Sequence, residues 1–320
     1  MNRYADDSRD MRLDPDSFAQ GYFKNAVYRH WDPYEDIPQE LLEQDRERLI
    51  DRDQTEAQFD AFRRTVALFG AGEEAVTEDL APLMMALDDI NKQMFISSQI
   101  YEEAKHTQFF DRYWRDVINP VAEARGFEVT RPTDDRYFND AYVELFDRTD
   151  EAMERLLTED TPENRVKAYC HYHLAVESVL AQTGYYGIQG SWSPSGPDME
   201  PLGEKVHLEG LVEGITRIRS DEGRHVGFGM QEVQGHVGRG EVDGSVVRDT
   251  LEELLPLIAG IVDYDSDDVG VESQTDSTPL LEYASEKLER RIEIITEYDA
   301  EIPPVEELVQ IEGGRDVSAD

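Results

Sequence analysis

Three Glu-x-x-His pairs stand in this chain, Glu103/His106, Glu204/His207 and Glu222/His225. On a helix, positions three apart project to the same side, so each pair offers a carboxylate and an imidazole to one point in space. Oxygen and nitrogen donors of that kind bind divalent metals. A single such pair is weak evidence, because about one match is expected by chance in a chain this acidic. The wider pattern is more informative. A two-metal carboxylate site in a helical bundle takes one Glu from each of two helices and a Glu-x-x-His from each of two others. Here Glu73 or Glu74 in ALFGAGEEAV, Glu103 and His106 in YEEAKHTQFF, Glu177 in HLAVESVLA, and Glu222 and His225 in SDEGRHVGF follow in that order. Glu73 or Glu74 and Glu177 lie among apolar neighbours, and a buried carboxylate without a partner is costly, so a pair of cations is what would make four of them tolerable.

The pair Glu204/His207 is set aside. On one helix it would lie about 27 Å from Glu222/His225, too far to share a metal centre. Glu204 also follows a Gly/Pro-rich stretch, where a Glu serves a helix N-terminus. Glu103 is free to bridge two ions, and Asp221 could orient a ligating histidine. The donor set lacks thiolate and suits iron or manganese. The single cysteine, Cys170, rules out a disulfide framework and a Cys-based zinc or iron–sulfur site.

Long helical patterns must position these residues. Helices are predicted over 37–50, 54–88 (with a kink at Pro82), 91–124 stopping near Gly126, 135–157 and 162–186, the last capped by Thr161 before Pro162. GIQGSWSPSGPDMEPLG, 187–203, reads as a loop. Helix resumes near Glu204 and runs to about Gln234, followed by 245–261 and 278–298. Residues 262–277 read as an acidic loop. Strand signals are scarce. Amphipathic helices of this length predict an all-α, antiparallel bundle. No internal repeat at a fixed period of 20–50 residues is visible, so one domain over 1–300 with a flexible acidic tail over 301–320 is expected.

The bulk composition bears on habitat. The chain has 320 residues with 31 basic against 71 acidic side chains, a net charge of −40, and only six lysines. Such a charge opposes binding to nucleic acid and anionic membranes. An acidic, Lys-poor surface fits a halophilic protein, in whose salt self-repulsion is screened within about 3 Å at 1 M. No apolar run is long enough to span a bilayer, and the N-terminus lacks an apolar signal segment, so a cytoplasmic protein is expected.

EEAKH at 102–106, YHLAVE at 172–177 and DEGRH at 221–225 resemble the small subunit of ribonucleotide reductase and its ferritin-like relatives, over roughly 25–235. Within that group, the sequence is most similar to the ligand-binding oxidases that resemble reductase small subunits. Val76 stands three residues after Glu73 and Tyr172 five before Glu177, which are that family's cross-linking positions relative to its ligands. This alignment selects Glu73 over Glu74. Tyr185 matches a further tyrosine near the metals, and WDP at 31–33 matches the N-terminal segment. The loop between Glu177 and Glu222 is longer than the family's and the Glu73–Glu103 spacing slightly shorter, differences that fall in the connections between helices.

The resemblance implies a ferritin-like bundle with a dinuclear manganese–iron cofactor, or di-iron as an alternative, held by Glu73, Glu103, His106, Glu177, Glu222 and His225, with Glu103 and Glu222 available as bridges. It implies dioxygen activation, a Tyr172–Val76 ether cross-link, a bound long-chain fatty acid and a homodimer. The principal alternative is a reductase small subunit. Phe110 occupies the usual radical-tyrosine position, and 301–320 lacks the tyrosine that would relay a radical to a large subunit. A ferritin-type iron store is a third reading, but it has no use for the Tyr172/Val76 pair.

Overall fold

The computed structural model describes residues 13–197, 206–264, 270–271, 276–296 and 300–310. Among them there is no strand. Local sequence sets the helix starts. Ser17 caps α1 (Phe18–Tyr28), Thr55 and Gln58 form a capping box on α3 (Glu56–Ala86), and Asp89 caps α4 (Ile90–Tyr113). Helix α2 (Gln39–Asp51) precedes this long pair. A π-helical segment, π1 (Trp114–Ile118), carries α4 into α5 (Asn119–Arg125), which stops at Gly126 with φ 71°, a left-handed cap that glycine adopts without a Cβ clash. Asn139 caps α6 (Asp140–Arg155), and Thr161 caps α7 (Pro162–Tyr169) with Pro162 in its first turn.

The helix expected over 162–186 is not uniform. After α7 the backbone becomes a twelve-residue π-helix, π2 (Cys170–Ala181), then returns to α geometry in α8 (Gln182–Trp192). GIQGSW, read as loop, is therefore the last part of α8. Gly187 and Gly190 lower helix propensity, but Ile188 and Gln189 are buried, and that packing overrides it. Glu204 lies outside the described residues, and the next helix, α9 (Glu209–Gly238), begins later than expected. Then come α10 (Gly244–Val262) and α11 (Thr278–Thr296). Helix α1 was not foreseen. It packs Phe18 against Phe228 and Tyr22 against Phe95, both with ring centroids 5.7 Å apart.

The start of the expected flexible tail is docked. A single turn, α12 (Val305–Leu308), lies on α9, with Leu308 and Val309 fully buried. Arg219 donates to the Val309 carbonyl and Arg291 to that of Leu308 at 2.8 Å. Residues 311–320 lie outside the described residues.

Helix α9 is buried on nearly every side through its central turns, as a helix packed between others must be. Two apolar clusters flank it. One gathers Phe95, Leu174, Phe228 and Leu254, and the other Phe59, Phe109, Trp114 and Ile215. The carboxylates and histidines sit where these clusters meet.

Candidate metal centre

Helices α3, α4 and α9 and the segment π2 deliver Glu73, Glu103 with His106, Glu222 with His225, and Glu177 to one point. Two overlapping groups form, Glu73–Glu103–His106–Glu222 and Glu103–Glu177–Glu222–His225, the donor atoms within each lying within 4.8 Å of one another. Glu103 and Glu222 belong to both groups, which is the arrangement two bridging carboxylates would have. All six side chains are buried. Glu74 is exposed.

The two histidines face inward through Nδ1. His106 Nδ1 lies 3.1 Å from Glu103 and 3.2 Å from Glu73, and His225 Nδ1 lies 3.0 Å from Glu103 and 3.3 Å from both Glu177 and Glu222. Their outer Nε2 atoms are held by carboxylates from the opposite motif. Asp221 Oδ2 meets His106 Nε2 at 3.1 Å, and Glu102 Oε2 meets His225 Nε2 at 2.9 Å. With Nε2 donating outward, each Nδ1 lone pair is left for a metal. Arg224 bonds both Asp221 and Glu102, while Lys105 at 3.1 Å and the Trp31 indole at 2.7 Å also donate to Asp221.

Asp221 was expected in this role from the sequence, but Glu102 was not. A signal for it was available. Residues 102–106 and 221–225 share the pattern acid, Glu, small residue, base, His. Each motif's acid serves the other motif's histidine.

Burial and mutual charge shift the groups of the cluster in opposite directions. Burial raises Glu73 well above the ordinary carboxylate range, and raises Glu177 to about 8, although His106 and His225 respectively oppose this. Burial and the Glu103 charge also raise Glu222. Glu103 goes the other way, because the two imidazoles outweigh its burial. Burial disfavours charge on both histidines, yet the surrounding carboxylates hold them well above their usual range. Glu177 Oε2 is buried without a hydrogen-bond partner among the described residues, a costly state for a carboxylate oxygen. A cation pair would relieve each of these features, and the oxygen and nitrogen donor set fits iron or manganese.

The remaining expected residues lie at the same place. Tyr172 donates to Glu103 at 2.9 Å and accepts from Gln99 at 3.3 Å. Gln99 also bonds Glu177 at 3.0 Å. Tyr185 donates to Glu222 at 3.3 Å, its ring stacked on Phe69 at 4.9 Å between centroids. Burial and adjacent carboxylates hold both phenols well above their ordinary range, so they are protonated. The π geometry explains how Tyr172 and Glu177 share a face. Five residues of α-helix would set them about 140° apart, whereas i→i+5 winding stacks them.

A cavity of about 220 Å³ opens on the cluster. Its lining includes Val76, Tyr172, Glu73, Glu103, Glu177 and Glu222, together with apolar side chains such as Phe62, Leu68 and Leu180. No helix among the described residues is long and apolar enough to cross a membrane.

No family model matches the chain. Solved structures do. A tyrosine-to-phenylalanine variant of an R2-like ligand-binding oxidase, with an aerobically reconstituted Mn/Fe cofactor, is 26% identical with TM-score 0.72, over 88% of this chain and 94% of that one. A glycine-to-leucine variant with an anaerobically reconstituted Mn/Fe cofactor is 27% identical with TM-score 0.73 over the same shares. The glycine-to-leucine variant with an aerobically reconstituted Fe/Fe cofactor is 26% identical, with TM-score 0.72 and the same coverage of 88% and 94%. This chain is thus similar to that family along most of its length.

Proposed function

We propose that this chain is a dinuclear-metal oxidase of the kind it resembles, an oxidoreductase that uses dioxygen to oxidise its own Tyr172 and Val76. The observation that carries the reading is the pair of overlapping donor groups sharing Glu103 and Glu222, with Tyr172 hydrogen-bonded to one of the shared carboxylates.

Glu73, Glu103, Glu222 and His106 would hold one ion, and Glu103, Glu177, Glu222 and His225 the other. A manganese–iron or di-iron pair would supply two reducing electrons and a binding point for dioxygen. The protein's own residues do the rest. Asp221 and Glu102 fix the imidazoles, and Arg224 ties those two acids together. Glu103 receives the Tyr172 hydroxyl proton's hydrogen bond at 2.9 Å and so orients the phenol.

The bond formed would join the Tyr172 oxygen to a carbon of Val76. The O–H of Tyr172 and one C–H of Val76 break, releasing two electrons and two protons. Dioxygen takes these, together with two electrons from the metal pair and two protons from solvent, and leaves as two waters. The cavity would hold an apolar chain with a carboxylate, of the fatty-acid type, and the protein would work as a homodimer in the cytoplasm.

The test is a peptide mass map after loading the metal-free protein with manganese and iron under air. Peptides containing Val76 and Tyr172 should run joined, two hydrogens lighter than their sum, and separately when air is excluded. Separate peptides in the aerobic, metal-loaded protein would remove the cross-linking chemistry and favour a reductase-type radical protein.

A further inference from the structure

Arg64 on α3 lines the cavity and is only 5% exposed. It has no carboxylate within ion-pair distance among the described residues, in a chain with 71 acidic and 31 basic side chains. Its polar contact is a weak one to the Ile261 carbonyl at 3.4 Å. Its guanidinium lies over the Tyr264 ring at 3.8 Å, and its Nε is buried without a partner. Burial lowers the guanidinium to about 10, opposed by Tyr264 and Tyr142. A buried guanidinium ordinarily meets an acid in a two-pronged hydrogen bond. Buried without an acid partner among the described residues, it is expensive.

The position is informative. Glu73 lies about 13 Å further along the same helix axis, and the cavity wall between them includes Leu68, Phe69 and Gly72. The cavity lining thus includes the metal-competent carboxylates and, nine residues back along α3 from Glu73, the buried guanidinium of Arg64, with Arg52 a second base on the wall.

We propose that Arg64 is a ligand-positioning residue that holds a carboxylate of the chain-like molecule occupying this cavity. The inference rests on the ligand-binding part of the proposed function. Two sources share this chemistry. The carboxylate could be the second of a dicarboxylic chain whose first faces the metal centre, or the only one of a monocarboxylic chain whose methyl end faces the centre. In either case Arg64 fixes how far the chain reaches and which carbon comes nearest Val76 and Tyr172.

The experiment measures dissociation constants of dodecanedioate, dodecanoate and dodecanol by calorimetry on the full, metal-loaded chain. The proteins are the wild type, Arg64→Met, which keeps length and apolarity, and Arg64→Lys, which keeps charge. Arg64→Met should weaken dodecanedioate by roughly tenfold or more while leaving dodecanol unchanged, and Arg64→Lys should retain most of the affinity. If dodecanoate is unaffected by Arg64→Met, the second-carboxylate source holds; if it weakens equally, the reversed chain does. Should Arg64→Met not fold, Arg64→Gln, which removes the charge and keeps a polar side chain, carries the test through the same expected loss for dodecanedioate. Dodecanedioate and dodecanoate each bound as tightly by Arg64→Met as by the wild type overturns the proposal and leaves Arg64 a structural cation over Tyr264. If no probe binds even the wild type, the ligand-binding reading fails and the proposal with it, while the cross-link map still judges the metal chemistry separately.

Discussion

Asp221 Oδ2 sits 3.1 Å from His106 Nε2, across 115 residues of sequence, and Glu102 repays the contact on His225. The two motifs that supply the candidate ligands therefore also orient each other's histidines. Neither half of the centre is built from one helix alone.

Removing one of these orienting acids should loosen metal binding without dismantling the ligand set. Glu102→Gln leaves an oxygen acceptor but no charge for Arg224 and His225. Metal affinity should fall by about 10- to 100-fold, read by competition with a chelator of known affinity, and the secondary structure by circular dichroism should not change. An unaltered affinity would show that His225 is oriented by packing alone.

Glu177→Gln separates stability from binding. Gln keeps the Oε1 acceptor for Gln99 and removes a buried carboxylate, so the metal-free variant should melt no lower than the metal-free wild type. Metal addition should stabilise the wild type by about 4 kcal/mol at a free concentration some 1,000-fold above Kd, and the variant by far less. Thermal melts with and without metal decide this, and equal gains in both proteins would exclude Glu177 as a ligand.

Docking of α12 depends on Gly223, between the motif residues Glu222 and Arg224. A Cβ there would lie 2.6 Å from the Val305 carbonyl oxygen, a backbone atom that cannot rotate away. Gly223→Ala should cost about 1–3 kcal/mol in chemical denaturation and speed proteolysis of the 301–310 segment. Wild-type protease resistance in that variant would mean that the backbone yields at little cost.

A pH effect is expected at Asp45, far from the candidate ligands. Burial raises its carboxyl to about 6 despite hydrogen bonds from Leu211, Gly210 and Tyr113. A raised carboxyl means the folded state holds the proton more tightly than the unfolded one. Its stabilising share is therefore complete below the ordinary value of 3.8 and is lost as pH rises to about 6. The share is roughly 2–3 kcal/mol. Asp45→Asn keeps the acceptor at the start of α9 and should gain on the wild type by that amount between pH 4 and pH 6, as read from urea midpoints. Parallel pH profiles for the two proteins would refute it.

The sequence by itself determined the helical character and the identity of the clustered residues. Hydrophobic periodicity marks long helices, and carboxylates with histidines amid apolar neighbours stand out because burying them is costly. Their order along the chain matches a two-metal bundle site. Tertiary structure decided what depends on contacts between distant segments. The π-helix that turns Tyr172 and Glu177 to one face has no local signature, since its residues suit α geometry as well. The length of α8 and the docking of α12 follow from burial against other helices, which overrides weak local preference. Nothing in the sequence sets Arg64 apart from the other bases of its helix. Only packing against Tyr264 and Ile261 shows it buried, without an acid partner among the described residues, and lining the same cavity as the carboxylates.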